Sequence, residues 1–322
     1  MAGKGCGAES LTSRVVRRFL IDTDTASDDA VALVMALRHP DVFVEAITVV
    51  AGNCPLDQAV QNALYTVELC GLATPVHAGC AGPLVRPLQT AQEVHGQDGM
   101  GDIGLDLSGR RPAGKRAIEV IVETLVGAPG EIDLVTLGPL TNVAAALQRE
   151  PAIARAVAHC YVMGGTGAGP GNVTPMGEFN FWCDPEAARV VLRSGMPLTL
   201  VGWDISVASA TFDREQAAAL RALGRLGEFA VEIQAVLNEY ALEETRLPGF
   251  DLPDPISMAV AIDPTIATYE ERHVDVVVGD GPERGHDVVD WHSVSGERPN
   301  ANVVTQVGRA DFVSMLSQLL TD

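Results

Sequence analysis

Between Asp22 and Asp29 the chain sets four carboxylates in eight positions, Asp22-Thr23-Asp24-Thr25-Ala26-Ser27-Asp28-Asp29. The run follows an apolar stretch of strand character, Phe19 to Asp22, and opens an apolar helical one, Asp28 to Arg38. Acids crowded this closely repel one another, so part of the charge must be neutralised by a cation or by backbone N–H groups. Asp28 and Asp29 fall in the first helical turn, where the helix dipole favours anions, and Ser27 can cap it. Capping leaves Asp24 unexplained at the carboxyl end of the strand, the edge where ligands bind in open α/β sheets. Oxygen donors without His or Cys beside them suit Ca²⁺ or Mg²⁺ rather than zinc. Calcium takes ~6–8 oxygens, so another acid and some carbonyls must come from elsewhere in the chain.

Further short β-rich runs alternate with helical patterns through the first 200 residues. Val42 to Val50, Ile132 to Leu137, His159 to Met163 and Leu198 to Val201 read as strands; Asp57 to Cys70, Ala117 to Leu125, Asn142 to Arg149 and Pro185 to Ser194 read as helices. This order predicts an α/β fold, an open, mostly parallel, Rossmann-like sheet flanked by helices. After about residue 272 the pattern changes. His273 to Val278, His286 to Trp291 and Asn302 to Val307 read as antiparallel strands, closed by a helix from Asp311 to Leu320, which together predict a small C-terminal antiparallel appendage. The Gly- and Pro-rich stretch 81–114 reads as long surface loops, often functional in compact domains. No linker or repeat divides the 322 residues, so one domain over 16–322 is expected behind a flexible N-terminus, 1–15.

Composition narrows the function classes. With 42 acidic and 22 basic residues the net charge is −20, a surface that repels phosphate backbones and argues against nucleic acid as a partner. No apolar run reaches the ~18 residues of a membrane span. Arg17-Arg18 resembles a twin-arginine export signal, but Asp22-Thr23-Asp24 follows where an apolar region should, so a cytoplasmic location is expected. The six cysteines form no C-x-x-C pair and read as reduced thiols.

Several ordered motifs carry a resemblance. The opening segment resembles the Asp-x-Asp-x-x-x-Asp-Asp signature of the inosine-uridine-preferring nucleoside hydrolase family. Val49-Val50-Ala51-Gly52-Asn53 is similar to its second-strand motif and Leu137-Gly138-Pro139-Leu140-Thr141-Asn142 to its middle motif. Asn172 to Asn180, with Asp184-Pro185-Glu186-Ala187 after it, is similar to its sugar-binding segment, and Asp254-Pro255 with Ile262-Asp263-Pro264 to its late metal motif. The match spans roughly residues 19 to 320. The resemblance implies hydrolysis of an N-glycosidic bond of a ribonucleoside or related ribosyl compound, with Ca²⁺ held by Asp24, Asp29, Asp254 and the Leu137 carbonyl. Asp24 would take a proton from a water whose pKa the ion lowers. It further implies that Asp28 accepts from the ribose 2′-hydroxyl while Asn53, Asn172, Glu178 and Asn180 hold the 3′- and 5′-hydroxyls. Met163 and Tyr240 join the substrate-binding set, and Asn180 and His95 join Asp24 as catalytic residues. A homodimer or homotetramer is implied as well.

One position departs from the pattern. Many members have a histidine directly before the late metal aspartate, proposed to protonate or steer the departing base, and here that position is Pro253. Asp251, Tyr240 and His95 are the candidate substitutes; Trp182 and Trp203 read as core. Two other functions compete. Asp22-Thr23-Asp24 could imitate the Asp-x-Asp of a haloacid dehalogenase-like, Mg²⁺-dependent phosphatase with Asp22 as nucleophile, but apart from Lys4 the chain has only Lys115 to hold a phosphoryl group. The loss of the histidine also admits a degenerate member that binds a nucleoside or sugar without turnover.

Overall fold

The computed structural model describes residues 16–322, so the expectation for residues 1–15 lies outside the described residues. Twelve strands follow one another along the described residues. They are β1 (Arg17–Thr23), β2 (Val42–Val49), β3 (Val76–Ala78), β4 (Ile132–Thr136), β5 (His159–Met163) and β6 (Leu198–Val201), then β7 (Thr211–Asp213), β8 (Gly249–Asp251), β9 (Ala267–Arg272), β10 (Val274–Val276), β11 (Asp287–Val289) and β12 (Ala301–Val307). Eight of them form the central sheet in the order β3-β2-β1-β4-β5-β6-β12-β9, parallel throughout except for β9.

Strand β1 lies in the middle because its side chains are apolar toward both faces: Phe19 and Ile21 join one core, Leu20 the other. Residues buried on two sides need helices on two sides. The first core is covered by Ser27–Arg38, Leu56–Leu69, Pro253–Ile262 and Arg309–Leu320, the second by Ala117–Gly127, Thr141–Arg149 and Pro185–Leu192. The twin arginines serve structure at the start of β1, where Arg17 pairs with Asp133 and Arg18 with Glu45 and Glu131.

The strand order reverses between β1 and β4, since the chain grows outward through β2 and β3 on one side and through β5 and β6 on the other. Helices leave the sheet to opposite faces at such a point, which opens a crevice beyond the carboxyl ends of the strands. Asp24 follows β1 and Leu137 follows β4, so both stand at this crevice.

The C-terminal expectation needs one correction. The strand foreseen at Asn302–Val307 as part of the appendage is β12 of the central sheet, parallel to β6 through Asn302–Thr199 and Val303–Leu200. Its residues Ala301, Val303, Val304 and Val307 are buried toward both faces, which a small exposed hairpin could not provide. The appendage that remains is the β10–β11 antiparallel pair. The five cysteines among the described residues are free thiols. No helix of the described residues is long and apolar enough to cross a membrane.

Candidate active site

The first strand and helix set the carboxylates. Asp29 anchors the helix it begins, its Oδ2 accepting the Ala26 N–H at 2.9 Å and its Oδ1 the Thr23 hydroxyl at 2.5 Å. Asp24, fully buried, accepts the Asn53 N–H on Oδ2 at 2.6 Å, while its Oδ1 has no partner. Glycine is required on both sides of this carboxylate. A Cβ at Gly52 would lie 2.1 Å from Asp24 Oδ2, and one at Gly138 2.6 Å from Oδ1. Thus the β2 and β4 motifs supply the slot in which Asp24 sits.

Asp28, Asp29 and Asp254 each bring an oxygen to within 4.8 Å of the others, with Asp254 delivered by the first turn of the Pro253–Ile262 helix. The Asp24, Asp28 and Asp254 carboxyls are pushed well above the usual carboxylate range, first by burial and then by repulsion from Asp29. Asp29 rises less, since its two hydrogen bonds offset part of its burial. No Lys or Arg lines the cavity above them. The positive charge this group needs therefore has no source among the described residues around the pocket, and Asp24 Oδ1, Asp28 Oδ1 and Asn180 Oδ1 are buried without partners. An all-oxygen, anionic set with orphaned oxygens fits a hard divalent cation.

Asp22 stands apart from this set. Its Oδ1 accepts from Thr48 at 2.5 Å and Asn142 at 2.8 Å, and burial pushes its carboxyl up to about 7. It braces β1 against its neighbours and does not line the cavity, so the phosphatase reading loses its nucleophile.

Over the cluster lies a cavity of about 240 Å³ lined on one side by Met163, Asn172, Glu178, Phe179, Asn180 and Trp182. The segment 172–180 is shaped by its own polar groups. Glu178 caps the Phe179–Cys183 helix, its Oε1 accepting the Asn180 N–H at 2.8 Å and its Oε2 the Gly165 N–H at 2.8 Å; burial pushes it up to about 7. Asn172 Oδ1 accepts the Phe179 N–H at 3.0 Å. Asn180 Nδ2 donates to the Leu137 carbonyl at 2.8 Å and reaches Met163 Sδ at 3.2 Å. These contacts aim the Leu137 carbonyl, whose second lone pair remains for another partner.

The facing wall comes from the Gln92–His95 turn, the Ala235–Tyr240 helix, the π-helical turn Ala241–Thr245 and the end of β8. His95 is buried, with Nδ1 2.9 Å from Ser27 Oγ and 3.8 Å from Asp28 Oδ1. Burial pushes its imidazole down to about 4, so it is neutral near pH 7. Tyr240 is half-buried on this wall, and buried Asn53 lines the cavity as well. Ten of the twelve site residues expected from sequence line this cavity; Asp24 and Asp29 are fully buried and do not line it, but both lie near enough to Asp254 to raise its carboxyl.

Trp203 is buried in the core as expected and also borders the cavity, donating Nε1–H to Asp251 at 2.9 Å, whereas Trp182, expected in the core, is half-buried on the cavity wall. A further residue carried no sequence signal. Asp287, on the appendage strand β11, accepts from Thr166 N at 2.6 Å, Thr166 Oγ1 at 2.8 Å and Gly167 N at 3.0 Å. It thereby fixes the glycine-rich loop that precedes Asn172. Asp287→Ala leaves these buried donors unpaired, an expected loss on the order of 3 kcal/mol in thermal or denaturant unfolding together with weaker ribose binding. Unchanged stability and unchanged ribose affinity would show the loop to be held by other contacts.

Comparison with known proteins agrees with this arrangement. The family model described as inosine-uridine preferring nucleoside hydrolase matches residues 19–314. The chain belongs to that family. Among curated relatives, the pyrimidine-specific ribonucleoside hydrolase RihB of Escherichia coli strain SE11 is 35% identical over 287 residues, 89% of this chain and 91% of RihB. Among solved structures, the plant nucleoside hydrolase PpNRh1 superposes with a TM-score of 0.88 at 33% identity, over 95% of this chain and 99% of that one. An inosine-guanosine nucleoside hydrolase gives 0.84 at 32% identity, over 95% and 99%. As a nucleoside hydrolase the protein is an N-glycosyl hydrolase, and the degenerate and phosphatase readings are set aside.

Proposed function

We propose that this nucleoside hydrolase cleaves a ribonucleoside, or a related ribosyl compound, to free base and ribose with Ca²⁺ as its ion and Asp24 as the general base. The observation that carries this reading is the pairing of an orphaned, buried Asp24 oxygen with the Asp28, Asp29 and Asp254 cluster beside a cavity lined by Asn53, Asn172, Glu178 and Asn180. Asp24, Asp29, Asp254 and the Leu137 carbonyl would hold the ion. Bound there, calcium supplies positive charge that grips sugar hydroxyls and eases deprotonation of water.

The protein's own groups do the rest. Asp24 accepts the proton of the water whose oxygen attacks the anomeric carbon; as that bond forms, the bond to the base breaks and its electron pair leaves with the base nitrogen. The sugar passes through an oxocarbenium-like state, which an anionic pocket without basic residues favours. Asp28, with Oδ1 unpartnered, accepts from the 2′-hydroxyl. Asn53, Asn172, Glu178 and Asn180 hold the remaining hydroxyls, and Met163 and Tyr240 close the walls. Neutral His95 contributes a hydrogen-bonding ring edge beside Ser27 and Asp28.

The relatives' names divide by base: RihB is pyrimidine-specific, one solved structure is inosine-guanosine, and a Gardnerella vaginalis enzyme, with a TM-score of 0.86 at 28% identity over 94% of this chain and 99% of its own, is purine-preferring. The test is therefore a panel of uridine, cytidine, inosine, guanosine and adenosine with calcium present, scored by ribose release, beside the corresponding monophosphates scored by phosphate. Ribose from at least one nucleoside and no phosphate is expected. Phosphate release, or none of either product, would remove the assignment.

A further inference from the structure

We propose that Asp251 is the acid that protonates the departing base, taking the part that the Pro253 side chain cannot play; the proposal rests on the ribonucleoside reading above. Strand β8 ends at Asp251, and the next two residues alternate in direction. Leu252 is buried in the core, whereas Asp251 and Pro253 both line the cavity. Asp251 therefore shares a side of the pocket with the position at which the resemblance places the leaving-group histidine, on the wall facing the sugar-holding segment.

The carboxyl is fixed from behind. Trp203 Nε1–H at 2.9 Å and the Ser206 hydroxyl at 2.8 Å both donate to Oδ2. With Oδ2 held by these two donors the carboxyl is fixed in orientation, and Oδ1, to which no side chain of the described residues donates, is the oxygen left to carry a proton toward the cavity. Burial pushes the Asp251 carboxyl above its usual range in spite of its two donors, and Asp251 in turn helps to raise the Asp28 carboxyl. The other groups on this wall are weaker acids for the task. His95 is neutral and spends Nδ1 on Ser27, while burial lifts the half-buried Tyr240 phenol above its already high value. A carboxyl whose pKa is raised by a buried site is an established form of general acid.

In the step, the Oδ1–H bond of Asp251 breaks and its proton passes to a nitrogen or carbonyl oxygen of the base. The bond between the anomeric carbon and the base nitrogen breaks with its electron pair going to the base, and the attacking water gives its proton to Asp24. Exchange with solvent returns one proton to Asp251 and removes one from Asp24, so the net reaction consumes a single water.

Asp251→Asn tests this, because the amide oxygen can still accept from Trp203 and Ser206 while the side chain no longer transfers a proton. The variant should lose ~10²-fold or more in kcat on the nucleosides that the wild type cleaves, on the usual scale for a general acid. On p-nitrophenyl β-D-ribofuranoside, whose leaving group departs as an anion without protonation, the loss should stay below about threefold, and inhibition by ribose should be unchanged. Equal losses on both substrate types would place Asp251 at the sugar or in the fold, and no loss on nucleosides would assign the acid elsewhere; either overturns the proposal. A wild type that releases p-nitrophenolate but no ribose from nucleosides keeps the glycosidase reading and removes Asp251 as the acid. A wild type inert toward every substrate removes both.

Discussion

Asp24→Asn lowers ribose release by about 10³-fold while the protein stays folded, within the range for loss of a general base. Asparagine has the same shape as aspartate, so it fits the slot between Gly52 and Gly138 that admits no larger displacement. Its amide oxygen can accept the Asn53 N–H in place of Oδ2. The substitution also removes one of the mutually repelling charges beside Asp29 and Asp28. Without added calcium the variant should therefore melt no lower than the wild type, which separates the loss of turnover from unfolding. Activity falling by less than tenfold would mean that another group takes the proton from water.

Chelation is the second large effect. Dialysis against a calcium chelator should abolish ribose release, and calcium, added back, should restore it and raise the melting temperature. An ion bound only by the folded state stabilises by about 2.7 kcal/mol at a hundredfold excess over its dissociation constant. The chelated enzyme carries a further signature. Asp24, Asp28 and Asp254 lie above their unfolded values in the folded chain, and Asp22 rises from 3.8 to about 7. The folded state then binds more protons than the unfolded one above the ordinary carboxylate pKa, so stability falls as pH rises through that window up to about 7. Chelated protein should melt higher at pH 5.5 than at pH 7.5, and calcium should flatten the difference. Full activity after chelation, or a melting temperature indifferent to calcium, would rule out the ion.

The central strands were legible because buried parallel strands are apolar on both faces: His159–Met163 and Leu198–Val201 coincide with the sequence reading residue for residue. The helices agree to within two residues at either end, with Leu56–Leu69 in place of Asp57–Cys70 and Pro185–Leu192 in place of Pro185–Ser194. The site was legible where chemistry is dense in one stretch, as at Asp22–Asp29 and Asn172–Asn180. What escaped was set by distant contacts. Strand β9, with mostly polar residues, is held at the sheet edge by pairing with β12, a fact its own pattern does not carry. Trp182 escaped, since its place on the cavity wall follows from the fold, whereas Trp203 is core as its sequence suggests, with Asp251, nearly fifty residues later, accepting from its indole. Asp287 sits in a three-residue strand with no motif around it, and only the fold brings it to the glycine loop.

The grip of Asp287 on Thr166 and Gly167 joins residues 120 positions apart. On the ribosome, Asp24, Leu137 and the segment proposed to hold the pentose all emerge before β11. The glycine-rich loop ahead of that segment gains its Asp287 hydrogen bonds only after β11 has been made and has docked. Under the proposed assignment a growing chain would carry every ion ligand, from Asp24 to Asp254, before the loop ahead of its pentose contacts is fixed.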